Sequence, residues 1–193
     1  MVYKIILAYI SSLIAILCLI PYFVNVLFHK TKPHAFSWFI WSLLPGIAFF
    51  VQISEHAGAG AWISGASASA CFIIFILSLF YGQIKFSKFD WVSLSGAIIA
   101  LILWLVAKNP ALSIIFLATT DAFGFLPTFR KSYYHPDQET LSRYIFSFVA
   151  WGLALLAVEN YSVATWFYQA SLLIINGIFV SLVLIRRKQL RRK

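Results

Sequence analysis

Charge is what this chain has least of. Only 11% of its 193 residues are Asp, Glu, Lys or Arg, six of them acidic, while 62% are hydrophobic. A soluble domain must cover itself with polar side chains, and this sequence has too few to do so. Cysteine is as sparse. Cys18 and Cys71 both fall inside apolar runs, which argues against a disulfide framework and leaves them as packing residues. The four histidines, His29, His34, His56 and His135, lack metal-site spacing, and no cluster of Cys or carboxylates joins them. There is no Gly-rich phosphate loop and no nucleophile elbow. The expectation is a protein without metal, cofactor or catalytic residues, and not an enzyme.

What the chain does have is apolar length. Mean hydropathy is +0.88, and apolar segments run from Ile5 to Phe28, Phe36 to Ile53, Ala57 to Tyr81, Trp91 to Ala107, Ala111 to Phe129, Leu141 to Val158 and Tyr161 to Ile185. Each is close to the roughly 17–25 residues that carry a helix across a bilayer. The first is too long for a signal peptide and lacks an Ala-x-Ala-type site, so it reads as a span. The expected class is an all-α integral membrane protein of seven helices.

A formal net charge of +9 raises nucleic acid as a partner, but the distribution points to lipid instead. Six of the fifteen basic residues form the tail from Arg186 to Lys193, and the rest lie in short loops. With the N-terminus outside, Lys30, Lys32, Lys85, Lys88, Arg130, Lys131, Arg143 and that tail all face the cytoplasm, thirteen of the fifteen. Only Lys4 and Lys108 face outward. Such asymmetry is how the positive-inside rule sets orientation. The expected location is a bacterial inner membrane, multi-pass, with a cytoplasmic C-terminus.

The chain also repeats itself. Ile20-Pro21-Tyr22-Phe23 returns as Leu126-Pro127-Thr128-Phe129, and the Pro-x-x-x-Ser of Pro33 to Ser37 returns as the Pro-x-x-x-Thr of Pro136 to Thr140. Glu55 and Trp62, seven apart, return as Glu159 and Trp166. The fourth apolar segment has no counterpart. A three-span unit inserted twice needs a connecting helix if both copies are to keep one orientation, so the plan is 3+1+3. The boundaries are 1–81 for a first triple-helix bundle, 82–107 for a connector with helix 4, 108–186 for a second bundle and 187–193 for a basic tail.

A proline late in the first helix, a basic turn, Ser37 opening the second helix and a 3+1+3 plan resemble the PQ-loop superfamily, and within it the SWEET sugar transporters and their half-size bacterial relatives. The resemblance implies two parallel triple-helix bundles joined by an inversion helix, an outside N-terminus, and prolines acting as hinges. Pro21, Pro45 and Pro127 match three of those hinge positions, while the sixth helix offers Gly152 in place of the fourth. The Pro-Gln pair that names the superfamily is replaced by Pro21-Tyr22 and Pro127-Thr128. Nicotinamide riboside carriers share the plan, and KDEL-receptor relatives show that it also serves recognition.

Candidate site residues follow from the cost of polarity in hydrocarbon. Asp121 alone among the acids sits near the middle of a span, where a charge costs about 2.5–3.5 kcal/mol on insertion scales. It either meets a cavity, carries a proton that couples transport, or bonds to Thr120 or a neighbouring helix. On the last span Ser162, Trp166, Gln169 and Asn176 form one polar stripe, in which Asn176 and Gln169 suit a substrate pocket and Trp166 suits the interface. Trp38 lies at the inner boundary, while Trp41 and Trp151 lie deeper, where they line a cavity or fill a core. Ser37 and Thr140 suit helix caps, and Glu139 and Arg143 a helical ion pair. The leading expectation is a carrier moving a small polar solute, sugar-like or vitamin-precursor-like, by alternating access. It is proton-coupled if Asp121 titrates, and a homo-oligomer is compatible with it. The alternative is a non-transporting receptor or scaffold of the same fold.

Overall fold

Apolar periodicity resolves into helix almost throughout. The computed structural model describes residues 2–29, 33, 35–82, 88–134, 136 and 141–190, the side chains at 89, 90, 127 and 131 excepted. Expectations attached to Lys30, Lys32, His34, Lys85, His135, Glu139 and Thr140, to the side chains of Pro127 and Lys131, and to Arg191, Arg192 and Lys193 fall outside those residues. Among the described residues there is no strand. The helices are α1 (Val2–Leu17), α2 (Ile20–Leu27), α3 (Ala35–Ser54), α4 (Trp62–Tyr81), α5 (Lys88–Leu105), α6 (Pro110–Tyr134), α7 (Leu141–Ala157) and α8 (Val163–Leu190), with a 3-10 turn at Gly58–Ala61 leading into α4.

Among the described residues, five stretches are long and apolar enough to cross a membrane: Val2–Leu27, Ala35–Ser54, Gly58–Tyr81, Pro110–Tyr134 and Val163–Leu190. The apolar part of α5, Trp91–Leu105, and α7 are shorter. Seventeen helical residues rise about 26 Å, less than the roughly 30 Å of a hydrocarbon core. The outward faces carry large apolar side chains. Phe80 is 77% exposed and Val106 75%, a surface that suits lipid and not water.

The first span is broken between Leu17 and Ile20, and the break has a local cause. Pro21 brings no N–H to the carbonyl of Leu17, and its ring crowds that carbonyl, so the turn before it tightens. Leu19 donates to Ile16, three residues back, before the helix resumes. Pro45, by contrast, lies inside α3 without ending it, and α6 continues through residue 127.

Packing follows small residues. α4 lies against both α1 and α3, α8 against both α6 and α7, and α5 against α6 and α3. Gly96 of α5 meets the Thr120 side chain of α6 so closely that a Cβ there would overlap it. The two corners that join α3 to α4 and α7 to α8 meet each other at one end of the molecule. There the Glu159 N–H donates to the Ala57 carbonyl at 3.0 Å, and Lys4 Nζ donates to the Val158 carbonyl at 2.6 Å. Gly58 has φ +63° and abuts the Glu159 side chain, so both its backbone and its surroundings require glycine. A Cβ on Gly60 would lie 2.7 Å from Val158 Cα and 2.8 Å from its backbone nitrogen.

Just inside this clasp a buried hydrogen-bond chain ties α3, α4 and α8. Ser64 Oγ donates to Gln52 Oε1 (3.0 Å), Gln52 Nε2 to Gln169 Oε1 (3.1 Å), and Gln169 Nε2 to the Gly60 carbonyl (3.2 Å). Gln52, Ser64 and Gln169 are fully buried, and each is satisfied by the next.

Gly60→Ala is expected to destabilise the fold by about 1–3 kcal/mol, the usual cost of overpacking against backbone. Gly46→Ala, whose Cβ would meet only Ala68 Cβ at an ordinary 3.7 Å, should be close to neutral. Equilibrium unfolding of the two variants in detergent checks the contrast. In the same assay, Gln52→Leu and Gln169→Leu should couple in a double-mutant cycle by roughly 0.6–2 kcal/mol.

Candidate functional site

A cavity of about 150 Å³ lies between α3, α4, α6, α7 and α8. α3 contributes Trp41 and Pro45, and α4 contributes Ser67 and Cys71. α6 presents Asp121, Gly124, Phe125 and Thr128 at increments of three, one and three, a single helical face. α7 presents Arg143, Tyr144, Ser147 and Trp151, and α8 presents Tyr168, Leu172 and Asn176 at steps of four. Gly124 sets the width at one point, since a Cβ built there meets nothing within 4 Å.

Asp121 is 7% exposed and lies in the wall. The Tyr168 hydroxyl donates to its Oδ2 at 3.1 Å. The ring of Tyr168 is itself fixed edge-on by Trp151, centroids 5.8 Å apart. Thr120, the adjacent hydroxyl, turns back to the Phe116 carbonyl. Asn176, 4% exposed, donates through Nδ2 to the Leu172 carbonyl one turn earlier at 2.7 Å. Its Oδ1 has no hydrogen-bond donor among the described residues. Such groups are costly in hydrocarbon unless a polar molecule meets them.

The other charged group at the cavity is Arg143, half-buried in the first turn of α7. Its guanidinium lies 6.0 Å from the ring centroids of Trp38, Trp41 and Tyr144, at cation–π range of all three. Trp38 packs edge-on against Trp41 at 5.3 Å and donates through Nε1 to the Tyr22 hydroxyl at 3.2 Å. No ion pair to Arg143 forms among the described residues. Arg143 also lines a second hollow of about 440 Å³, against Cys18, Pro21, Tyr22 and Asn25.

Five residues were expected at a binding site. The cavity brings together Asp121, Asn176, Trp41 and Trp151. Gln169 lies elsewhere, in the buried chain with Gln52. Among the expected hinges, Pro45 lines the cavity, Pro21 lines the second hollow, and the Pro127 side chain is outside the described residues. Trp166 packs on Phe167, with centroids 5.7 Å apart, away from the cavity.

Tyr168 and Arg143 were missed for different reasons. Tyr168 is one residue from Gln169, about 100° around α8. The cavity face is 168, 172 and 176 rather than the more polar line through 162, 166 and 169. Arg143 had been counted as a loop charge because it begins a helix. Its position two and three residues after Leu141 and Thr140, at the start of an apolar run, was the available signal that its side chain can reach inward.

Compared with known proteins, the chain matches no family model, no curated protein and no solved structure. The site therefore stands on its own chemistry.

Tyr168→Phe removes one hydroxyl and leaves Asp121 without its described donor. A hydrogen bond to a charged group contributes about 1.5–3 kcal/mol, so this variant should lose about that much. Asp121→Asn keeps an acceptor for the hydroxyl and should lose less. Unfolding in detergent orders the two.

Proposed function

We propose that this protein is an inner-membrane carrier that moves a small polar solute by alternating access between two triple-helix bundles. On this reading α1–α2, α3 and α4 form the first bundle, α6, α7 and α8 the second, and α5 the inversion helix between them. The packing of α4 between α1 and α3, and of α8 between α6 and α7, supports the pairing of the two trios. The N-terminus is outside and the basic tail cytoplasmic, as the distribution of Lys and Arg favours.

One observation carries the proposal: a cavity with a buried carboxylate and a half-satisfied amide in its wall, bounded by helices of both trios. A structural bundle core in hydrocarbon has no use for an open space lined by Asp121 and Asn176. A carrier needs one near the middle of the membrane, at the interface of its repeats. The clasp of Ala57, Gly58 and Gly60 against Val158 and Glu159 supports an outward-closed state, since it joins corners of the two trios on the outer side. Pro21 and Pro45 serve as hinges, one breaking the first span and one set in the cavity wall. The SWEET-like plan of the sequence points to a sugar-like or vitamin-precursor-like solute, and a cavity of about 150 Å³ suits the smallest polar solutes.

Counterflow in proteoliposomes tests it. Vesicles loaded with unlabelled sugars, nucleosides or amino acids should accumulate one labelled class saturably. Asp121→Ala should reduce that exchange at least tenfold. A Cβ at Gly124 meets nothing within 4 Å, so Gly124→Ala should leave unfolding midpoints near those of the parent protein, while Gly124→Leu, reaching further into the cavity, should block exchange. Exchange that survives Gly124→Leu unchanged would place the transport path elsewhere. No exchange of any class by folded protein would favour a receptor or scaffold.

A further inference from the structure

Two opposite charges line this cavity, and they belong to its two ends. The carboxylate of Asp121 is held by Tyr168, whose ring contacts Trp151. The guanidinium of Arg143 rests against Trp38, Trp41 and Tyr144. Arg143 and Trp151 are eight residues apart on α7, about 12 Å along its axis at 1.5 Å per residue. The acid therefore sits at the Trp151 end and the base at the Trp41 end. Among the described residues neither has an oppositely charged partner.

We infer that the cargo is a small zwitterion, its cationic end at Asp121 and the Tyr168 hydroxyl and its anionic end at Arg143. The inference rests on the carrier's cavity being the binding site and goes further by naming the chemical class. Four kinds of solute can be compared by the charges each leaves unmatched. A simple cation suits Asp121 but brings a like charge towards Arg143. A simple anion suits Arg143 and is repelled by Asp121. A neutral polyol brings no counter-charge to Asp121 or Arg143, neither of which has one among the described residues, in a medium where unpaired charge is expensive. A molecule with both charges satisfies both ends, and its net neutrality matches the cavity's own.

The remaining walls refine the picture. Beside Asp121 the lone pairs of the Tyr168 hydroxyl accept hydrogen bonds, as an ammonium group requires, while Asn176, eight residues further along α8, presents its Oδ1 between the two ends. Arg143 offers the fork of N–H donors that suits a carboxylate. Trp41, Trp151, Phe125 and Leu172 give the middle an apolar lining, which suits methylene groups or a small ring. A cavity of about 150 Å³ is comparable to one that accepts benzene, so the cargo has on the order of six to eight heavy atoms. A charge separation spread over a short chain fits the long axis better than two charges on one carbon.

Purified protein in detergent can be titrated with γ-aminobutyrate and proline as zwitterions, and glycerol and butyramide as neutral solutes of similar size, following tryptophan fluorescence because Trp41 and Trp151 line the cavity. At least one zwitterion should bind saturably, tenfold or more tighter than either neutral solute. Asp121→Asn and Arg143→Gln should each weaken it at least tenfold. They should also shift selectivity in opposite directions, Asp121→Asn towards butyrate and Arg143→Gln towards butylamine. A fold defect would not produce opposite shifts. Failure of both zwitterions to bind folded protein, or neutral solutes binding as well as they do, overturns the inference, as does the absence of a selectivity shift in both variants. Counterflow separates the two levels. Saturable exchange of a neutral solute with none of the zwitterions leaves a carrier but not this cargo. Zwitterion binding without exchange leaves the site but not the carrier.

Discussion

In hydrocarbon a polar side chain has no water to fall back on, and that constraint organises this molecule. Each buried polar group must find protein, or a cavity, or carry a cost. Gln52 and Gln169 solve it within the protein. Ser64 donates to Gln52, Gln52 to Gln169 and Gln169 to the Gly60 carbonyl, and the result is a tie between helices from opposite halves of the chain. Asp121, Asn176 and Arg143 solve it only in part. The carboxylate has one donor, the amide turns back on its own helix, and the guanidinium leans on aromatic faces. The same principle thus yields a structural joint in one place and an unfinished site in another.

The second organising influence is side-chain size. At the clasp the contacting residues are Ala57, Gly58, Ala59, Gly60 and Ala61, and backbone meets backbone. Close approach of this kind is what holds helices together where lipid is as apolar as protein. At the other end bulky rings, Trp38, Trp41 and Tyr144, gather around Arg143. The cavity lies between the small-residue contacts of the clasp and this ring cluster.

Much of this was legible in the sequence, because hydrophobic length and single polar intrusions are local signals. The helices follow the apolar segments closely. Asp121 stood out since an acid amid Leu, Ile and Phe has few places to go. The limits lay in rotation and reach. Gln169 and Tyr168 are neighbours in sequence, yet one faces a buried amide and the other a cavity, a difference of rotation that a stripe drawn by polarity does not resolve. Arg143 resembled a topology marker, and only the inward course of its long side chain reveals its second place. The 3-10 turn before α4, and the need for glycine at residues 58 and 60, depend on Val158 and Glu159 a hundred residues away, which no local pattern contains.

The break at Pro21 acquires meaning from what its two sides touch. α1 belongs to the clasp: Lys4 bonds to the Val158 carbonyl, and Ala8 packs with Ala59 and Ala157. α2 belongs to the aromatic end, where Tyr22 accepts from Trp38 beside Arg143. An unbroken helix would transmit any rotation at one end directly to the other. With the Leu17 carbonyl deprived of its usual donor, the two segments can shift by different amounts. On the carrier reading, the aromatic end holding Arg143 can reorganise around a cargo before the clasp yields, and the clasp can open without dismantling the guanidinium's aromatic bed. Alternating access requires that the two ends not open together. A proline between an end fixed by backbone contacts and an end fixed by stacked rings is a simple way to make them separable.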